Sequence, residues 1–169
     1  VQAVKEALAG GRPAFFDDHS RLYNENTPRI STQPSYSTFV KIADGCDNCC
    51  SYCIIPQVRG NLHSRGLESV VTEVGSLVKK GLKEVNLIAQ DTTSYGRDIY
   101  GSPQLSELLR RLTKIDELAW VRLLYCYPRY FTDELIDLIS QEPKICSYID
   151  LPLQHINDEI LQAMNRPDK

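Results

Sequence analysis

Four of the six cysteines stand within eight consecutive residues, in the stretch Gly45-Cys46-Asp47-Asn48-Cys49-Cys50-Ser51-Tyr52-Cys53. A thiol that merely packs behaves as a small hydrophobe and occurs singly. Thiols gathered this densely on a polar, turn-forming loop point to a metal, a cluster or redox chemistry. Three readings compete. A disulfide loop suits a short secreted chain, but no signal-peptide pattern is present and the chain is long enough to fold without staples. Zinc is the stronger rival: Cys46/Cys49 and Cys50/Cys53 form two back-to-back CxxC pairs. Structural zinc sites, however, usually set their two pairs about a dozen or more residues apart. Read as CxxxCxxC, Cys46, Cys50 and Cys53 supply three thiolates. A cubane cluster normally takes four, so three would leave one iron with an open position for a small ligand, by the logic that keeps a catalytic metal accessible.

The elements that must carry this loop are legible from hydrophobic periodicity. Residues 37–43, Ser-Thr-Phe-Val-Lys-Ile-Ala, read as a strand that delivers the loop. Val70, Val71, Val74, Leu77 and Val78 recur at helical spacing and stop at Gly81. The same strand, loop, helix unit then repeats. Residues 85–89 form a strand, followed by a polar loop at 90–96. Ser102 is the expected N-cap, with Pro103 at the first helical position and Leu105, Leu108, Leu109 and Leu112 on the apolar face. Residues 120–125 form the third strand. After it, Thr132, Asp133 and Glu134 open a helix with Leu135, Ile136, Leu138 and Ile139 facing inward. Residues 148–151 form the fourth strand, followed by Gln154-His155 and a helix capped by Asn157.

Four such units imply an α/β fold of parallel strands with helical crossovers, either part of a βα barrel or a doubly wound sheet. In both, the loops after the strands share one edge, where ligands bind. The cysteine loop, the Gln90-Asp91 loop, the Tyr127-Pro128 turn and the Gln154-His155 turn therefore converge.

Composition sets the outer bounds. A chain of 169 residues, 24% charged and 42% hydrophobic, suits one folded domain with a real core. A balance of 19 basic against 22 acidic residues gives no electrostatic footprint for non-specific nucleic-acid binding. No apolar run approaches the ~18 residues of a membrane span, and clustered thiols fit a reducing interior, so a cytoplasmic location is expected. Residues 1–35 read as a connector. Val4, Ala7 and Leu8 end at Gly10-Gly11, and Pro13, Pro28 and Pro34 interrupt a polar stretch that is either a linker or a wrap over a neighbouring surface. His19 in that stretch is expected to be solvated, and His63 and His155 to play turn or pocket roles. Cys126 and Cys146, in or beside strands, are expected to be buried structural thiols.

The runs PSYSTFVKIADGCDNCCSYCIIPQVRGNLHSR, LKEVNLIAQDTTSYG, WVRLLYCYP and YIDLPLQH together resemble the radical S-adenosylmethionine (radical SAM) methylthiotransferases across about residues 29 to 166. They look most like the branch that modifies an aspartate in a small-subunit ribosomal protein. The tRNA-modifying branch, kept as the alternative, typically reads Gly-Gln-Asn where this chain has Ala89-Gln90-Asp91. The resemblance implies a radical SAM partial TIM barrel over residues 36–169, with four of the expected βα units present. It implies a 4Fe-4S cluster on Cys46, Cys50 and Cys53. It also implies SAM as cofactor and one-electron cleavage to a 5'-deoxyadenosyl radical, with an electron donor as partner. Tyr52 matches the aromatic position beside the adenine. Gln90 and Asp91 are expected to line the SAM or substrate pocket, with Gln154 joining them from the fourth strand. Complete members carry a further three-cysteine N-terminal domain for sulfur transfer and a small C-terminal β-barrel domain. On the resemblance, then, this chain is a core fragment cut at both ends, and residues 1–35 connect it to the missing N-terminal domain. Cys49 departs from the family pattern, which has a non-cysteine there.

Overall fold

The computed structural model describes residues 2–12, 14, 22–30 and 34–166. Helix α1 (Gln2–Leu8) buries none of its residues. His19 and Pro13 lie outside the described residues. Strand β1 (Ser37–Lys41) and the two-residue strand β2 (Ala43–Asp44) lead into the cysteine loop. Next come α2 (Ile55–Arg59), β3 (His63–Ser64) and α3 (Leu67–Val78). The following units are β4 (Glu84–Ile88) with α4 (Arg97–Tyr100) and α5 (Leu105–Thr113), then β5 (Trp120–Leu123) with α6 (Asp133–Gln141). Strand β6 (Ile145–Ile149) and helix α7 (Asp158–Ala163) close the series.

The sheet order is β1-β4-β5-β6, parallel throughout. The long strands therefore lie in chain order with no reversal. A doubly wound sheet would show a switch point where the order turns back, so this is the wall of a barrel. Alternate strand residues divide between two faces. Val40, Val85, Leu87, Val121 and Leu123 join the leucines and valines of α3, α5 and α6 in one buried cluster. Lys41, Ile88 and Arg122 point to the other face, where exposed Phe39 and Trp120 also stand. A parallel sheet is normally covered on both faces, so the face without helices is the one available to ligands.

Four local expectations are corrected. The first strand is divided, because Ile42 binds both ways: its N–H donates to Ile88 O (3.0 Å) and its carbonyl accepts from Arg65 N (2.8 Å). That second bond turns residues 43–44 onto β3 as an antiparallel pair. The fourth strand starts at Ile145 rather than 148, since buried Ile145 pairs with Val121. The N-cap of α5 is Gln104, whose N–H donates to Tyr95 O at 2.7 Å, while Ser102 Oγ accepts from the Gln104 side chain at 2.9 Å. Ile136 is 48% exposed, whereas Leu135 and Ile139 are buried. The caps at Thr132 and Asn157 form as expected, accepting from Leu135 N (3.2 Å) and Ile160 N (3.1 Å).

Ahead of β1, Arg29 packs against the sheet edge. Arg29 donates to Glu73 on α3 (3.0 Å), to Thr38 Oγ1 (2.7 Å) and to Phe39 O (2.7 Å), filling an acceptor on the open edge of β1.

Candidate functional site

The cysteine loop is held from its base. Gly45 has φ +70, and a Cβ there would lie 2.0 Å from Asn61 O, so only glycine allows the two chain passes to approach this closely. Cys46 N donates to Gly60 O (3.1 Å), and Asp47 Oδ1 accepts from Leu62 N (2.9 Å). A tight turn follows, with Cys53 N donating to Cys50 O at 3.0 Å.

Within this frame the four thiols separate. Cys46 and Cys50 are buried, Cys53 is half-buried and Cys49 is exposed, with its thiol 3.7 Å from Asp47 O. None of the six cysteines is in a disulfide. Burial pushes the Cys46 thiol above its ordinary pKa, the Asn48 N–H on its sulfur (3.4 Å) opposes that rise, and Asp91 and Cys50 add to it. Among the described residues no three Cys, His, Asp or Glu side chains gather tightly enough for a single metal ion. A cubane makes a different demand, since its thiolates bind separate irons rather than one centre. Two inward thiols with a third at the rim suit that geometry.

Beside the loop, at the C-terminal ends of β1 and β4, lies a cavity of about 390 Å3 lined by Lys41, Ile55, Ile88, Ala89, Gln90 and Tyr125. Ile55 follows Cys53 by two residues and joins the cavity to the loop. Gln90 Oε1 is buried without a hydrogen-bond partner among the described residues. A buried acceptor left unsatisfied costs about 1–3 kcal/mol, which a bound donor would recover. The residues present thus fit both groups that the resemblance implies: a three-thiolate donor set for the cluster and a half-apolar pocket with one unfilled acceptor for SAM.

Asp91 and Gln154 do not join Gln90 among the residues lining this cavity. Asp91 is buried beneath the loops. Its Oδ2 accepts from Asn48 Nδ2 (2.8 Å), and its Oδ1 accepts from Thr93 Oγ1 (2.7 Å) and Ser94 N (3.2 Å). Thr93 in turn contacts Tyr127 O (2.9 Å) and accepts Tyr127 N (3.1 Å), so one polar cluster ties three strand-end loops together. Gln154 is exposed, with φ +68, and His63 and His155 are also exposed. Tyr52 is 53% exposed and its hydroxyl accepts from Arg166 Nη1 at 3.3 Å. Cys126 is buried as expected, with its thiol pushed up to about 12 by burial and by Asp91 and Asp150, while Cys146 is only half-buried.

Two participants were missed in the sequence reading. Tyr125 lines the cavity with a left-handed backbone, φ +58, held by its N–H on Asp150 Oδ2 (2.8 Å) and its carbonyl under Thr92 N (3.0 Å). Such strain in a non-glycine residue concentrates at functional sites. The other is Arg166, a buried arginine at the edge of the cysteine loop. Neither carries a local sequence signal, because both depend on contacts between distant segments.

The sequence profile described as the Radical SAM superfamily matches residues 40–169. A protein of Desulforamulus reducens named "Ribosomal protein uS12 methylthiotransferase RimO" is 52% identical over 168 residues, 99% of this chain and 38% of its own length. The protein of the same name from Syntrophotalea carbinolica is 59% identical over 145 residues, covering 86% of this chain and 32% of its own. The chain thus spans about a third of the curated relatives it matches. Among solved structures, the radical S-adenosylmethionine methyltransferase TsrM from Kitasatospora setae superposes with a TM-score of 0.59 at 22% identity, over 79% of this chain and 27% of that one. That likeness is one of fold.

Proposed function

The chain belongs to the radical SAM superfamily, and from that premise we propose that it is the core of a methylthiotransferase acting on ribosomal protein uS12. In this reading Cys46, Cys50 and Cys53 hold a 4Fe-4S cluster and the adjoining cavity holds SAM. The observation that carries the cofactor reading is the split within the loop: Cys46 and Cys50 turn inward while Cys49 faces solvent. When bound, the cluster and SAM supply the one-electron chemistry, driven by a low-potential electron donor.

The chain's own residues bind, orient and exclude water. Asp47, Gly45 and the residues 60–62 fix the loop. Gln90 offers SAM an acceptor on the cavity wall, Tyr52 offers an aromatic face, and Ile55, Ile88 and Ala89 keep the pocket half-apolar. Asp91 acts from behind, holding the loop in register. Gln154 stands on the turn after β6, at the same sheet edge, where a substrate can reach it.

The substrate assignment rests on the relatives named for uS12, at 52% and 59% identity. A net charge of −3 also favours a protein substrate over the tRNA of the alternative branch. We read residues 36–169 as the radical SAM core and residues 1–35 as a connector, and we place the protein in the cytoplasm, where its free thiols remain reduced. No helix among the described residues is long and apolar enough to cross a membrane.

The test is anaerobic reconstitution with iron and sulfide, followed by dithionite, SAM and uS12. Chromatography should show slow release of 5'-deoxyadenosine. Mass spectrometry should show no methylthio shift on uS12 with this chain alone, which spans about a third of the length of its curated relatives. A protein with a full cluster that fails to cleave SAM would sink the cofactor reading. A longer form that methylthiolates tRNA and leaves uS12 unchanged would move the substrate to the other branch.

A further inference from the structure

The turn after α7 closes back on the cysteine loop at three consecutive residues. Met164 O accepts from Ser51 N (3.0 Å), and Asn165 Nδ2 donates to Cys49 O (2.6 Å). Arg166, only 4% exposed, donates through Nη2 to Pro152 O (2.9 Å) and through Nη1 to the Tyr52 hydroxyl (3.3 Å). The same Nη1 stands 4.0 Å from Cys50 Sγ, and the guanidinium lies over the Tyr127 ring at 4.2 Å from its centroid. The contacts with Cys49 and Cys50 join positions 116 residues apart in sequence.

Met164 and Asn165 already anchor the loop backbone, so fastening alone does not require a buried cation at Cys50. Taking a guanidinium out of water is costly unless its surroundings compensate it. The ring face and the oxygens contribute to that compensation. A sulfur that becomes anionic on binding iron would do so further. A positive charge this close, in a site of low effective dielectric, stabilises each added negative charge. The potentials of iron-sulfur clusters respond to net charge and to hydrogen bonds on their sulfurs. One-electron reduction adds a single negative charge to a cluster, taken from a low-potential donor.

We propose that Arg166 is a positioning residue of the cluster site: it completes the clamp of residues 164–166 on the cysteine loop and holds a positive charge beside Cys50 that raises the cluster's reduction potential. The proposal rests on Cys50 being a cluster ligand.

The test uses Arg166→Met, Arg166→Lys and Asn165→Ala in two arms. In metal-free protein, amide exchange at Ser51 and alkylation of Cys50 should rise several-fold in Arg166→Met and in Asn165→Ala. In reconstituted protein, potentiometric titration followed by electron paramagnetic resonance should show the midpoint of Arg166→Met shifted to more negative values. Arg166→Lys should restore most of the shift, and Asn165→Ala, which loosens the loop but keeps the charge, should move the midpoint less than Arg166→Met does. Should Arg166→Met not fold, Arg166→Gln keeps a donor for Pro152 and removes the charge. A neutral variant with the wild-type midpoint overturns the electrostatic role. A neutral variant with unchanged exchange and alkylation overturns the clamp. If the wild-type chain takes up no cluster, the ligand assignment of the proposed function fails instead, and the metal-free arm still decides the clamp.

Discussion

Asn48 Nδ2 donates to Asp91 Oδ2 at 2.8 Å, joining the middle of the cysteine loop to a buried carboxylate in the loop after β4 across 43 positions of sequence. The Asp91 carboxylate also takes Thr93 Oγ1 and Ser94 N on its other oxygen, so its acceptors are engaged within the protein. This makes Asp91 the pivot that sets the height of the loop above the sheet edge, and it explains why a carboxylate stands 2% exposed.

Asp91→Asn should therefore lower stability by about 1–3 kcal/mol, the usual cost of a broken buried hydrogen-bond set, measured by urea unfolding. Asn48→Ala should cost less, and the double variant should fall short of the sum because the pair shares one bond. Strict additivity would show that the two side chains do not meet in solution.

Gly45→Ala forces a Cβ to 2.0 Å from Asn61 O at a backbone φ of +70. Strain in that region alone costs about 1–3 kcal/mol, and the clash adds to it. The expected outcome is a folded sheet with a displaced loop, seen as near-normal circular dichroism with faster amide exchange at Cys46 and Leu62. Unaltered exchange at both amides would mean that the two chain passes are not in contact.

Gln90 separates stability from function. Gln90→Met removes the unsatisfied buried Oε1, so the metal-free protein should gain up to about 1–3 kcal/mol while its affinity for SAM falls. Thermal denaturation and SAM titration of the reconstituted protein check both halves. A variant that loses stability and keeps its SAM affinity would remove Gln90 from the cavity's chemistry.

Cys126 gives a pH prediction. Its folded-state pKa is raised from 9.0 to about 12, chiefly by burial. A group raised on folding contributes stability that is fully present below its unfolded value and is lost as pH rises toward the folded one. Unfolding free energy should thus decline from about pH 9 upward, and Cys126→Ala should flatten that decline. At pH 8 iodoacetamide should modify Cys49 and spare Cys126, since only an accessible thiolate reacts.

The strands carrying the core were legible because Val40, Val85, Leu87, Val121 and Leu123 alternate with outward residues, and the helices because their leucines and valines keep the helical period. Strand β6 was legible only in its second half: Lys144, Cys146 and Ser147 give no strand signal, and Ile145 is committed by pairing with Val121. Gln90 and Asp91 looked alike in sequence, yet adjacent residues leaving a strand point to opposite sides, which sends one to the cavity and the other beneath the loops. Arg166 was illegible because its meaning comes from Cys50, Tyr52, Tyr127 and Pro152, brought together only by the closing of the fold.

The central claim is that three of the four clustered thiols act together and the fourth does not. Iron, sulfide and electron paramagnetic resonance, measured on the reconstituted wild type and on Cys46→Ala, Cys49→Ala, Cys50→Ala and Cys53→Ala, test it most directly. The account predicts about one cubane per chain in the wild type and in Cys49→Ala, and none in the other three. A normal cluster in Cys50→Ala together with its loss in Cys49→Ala would contradict it.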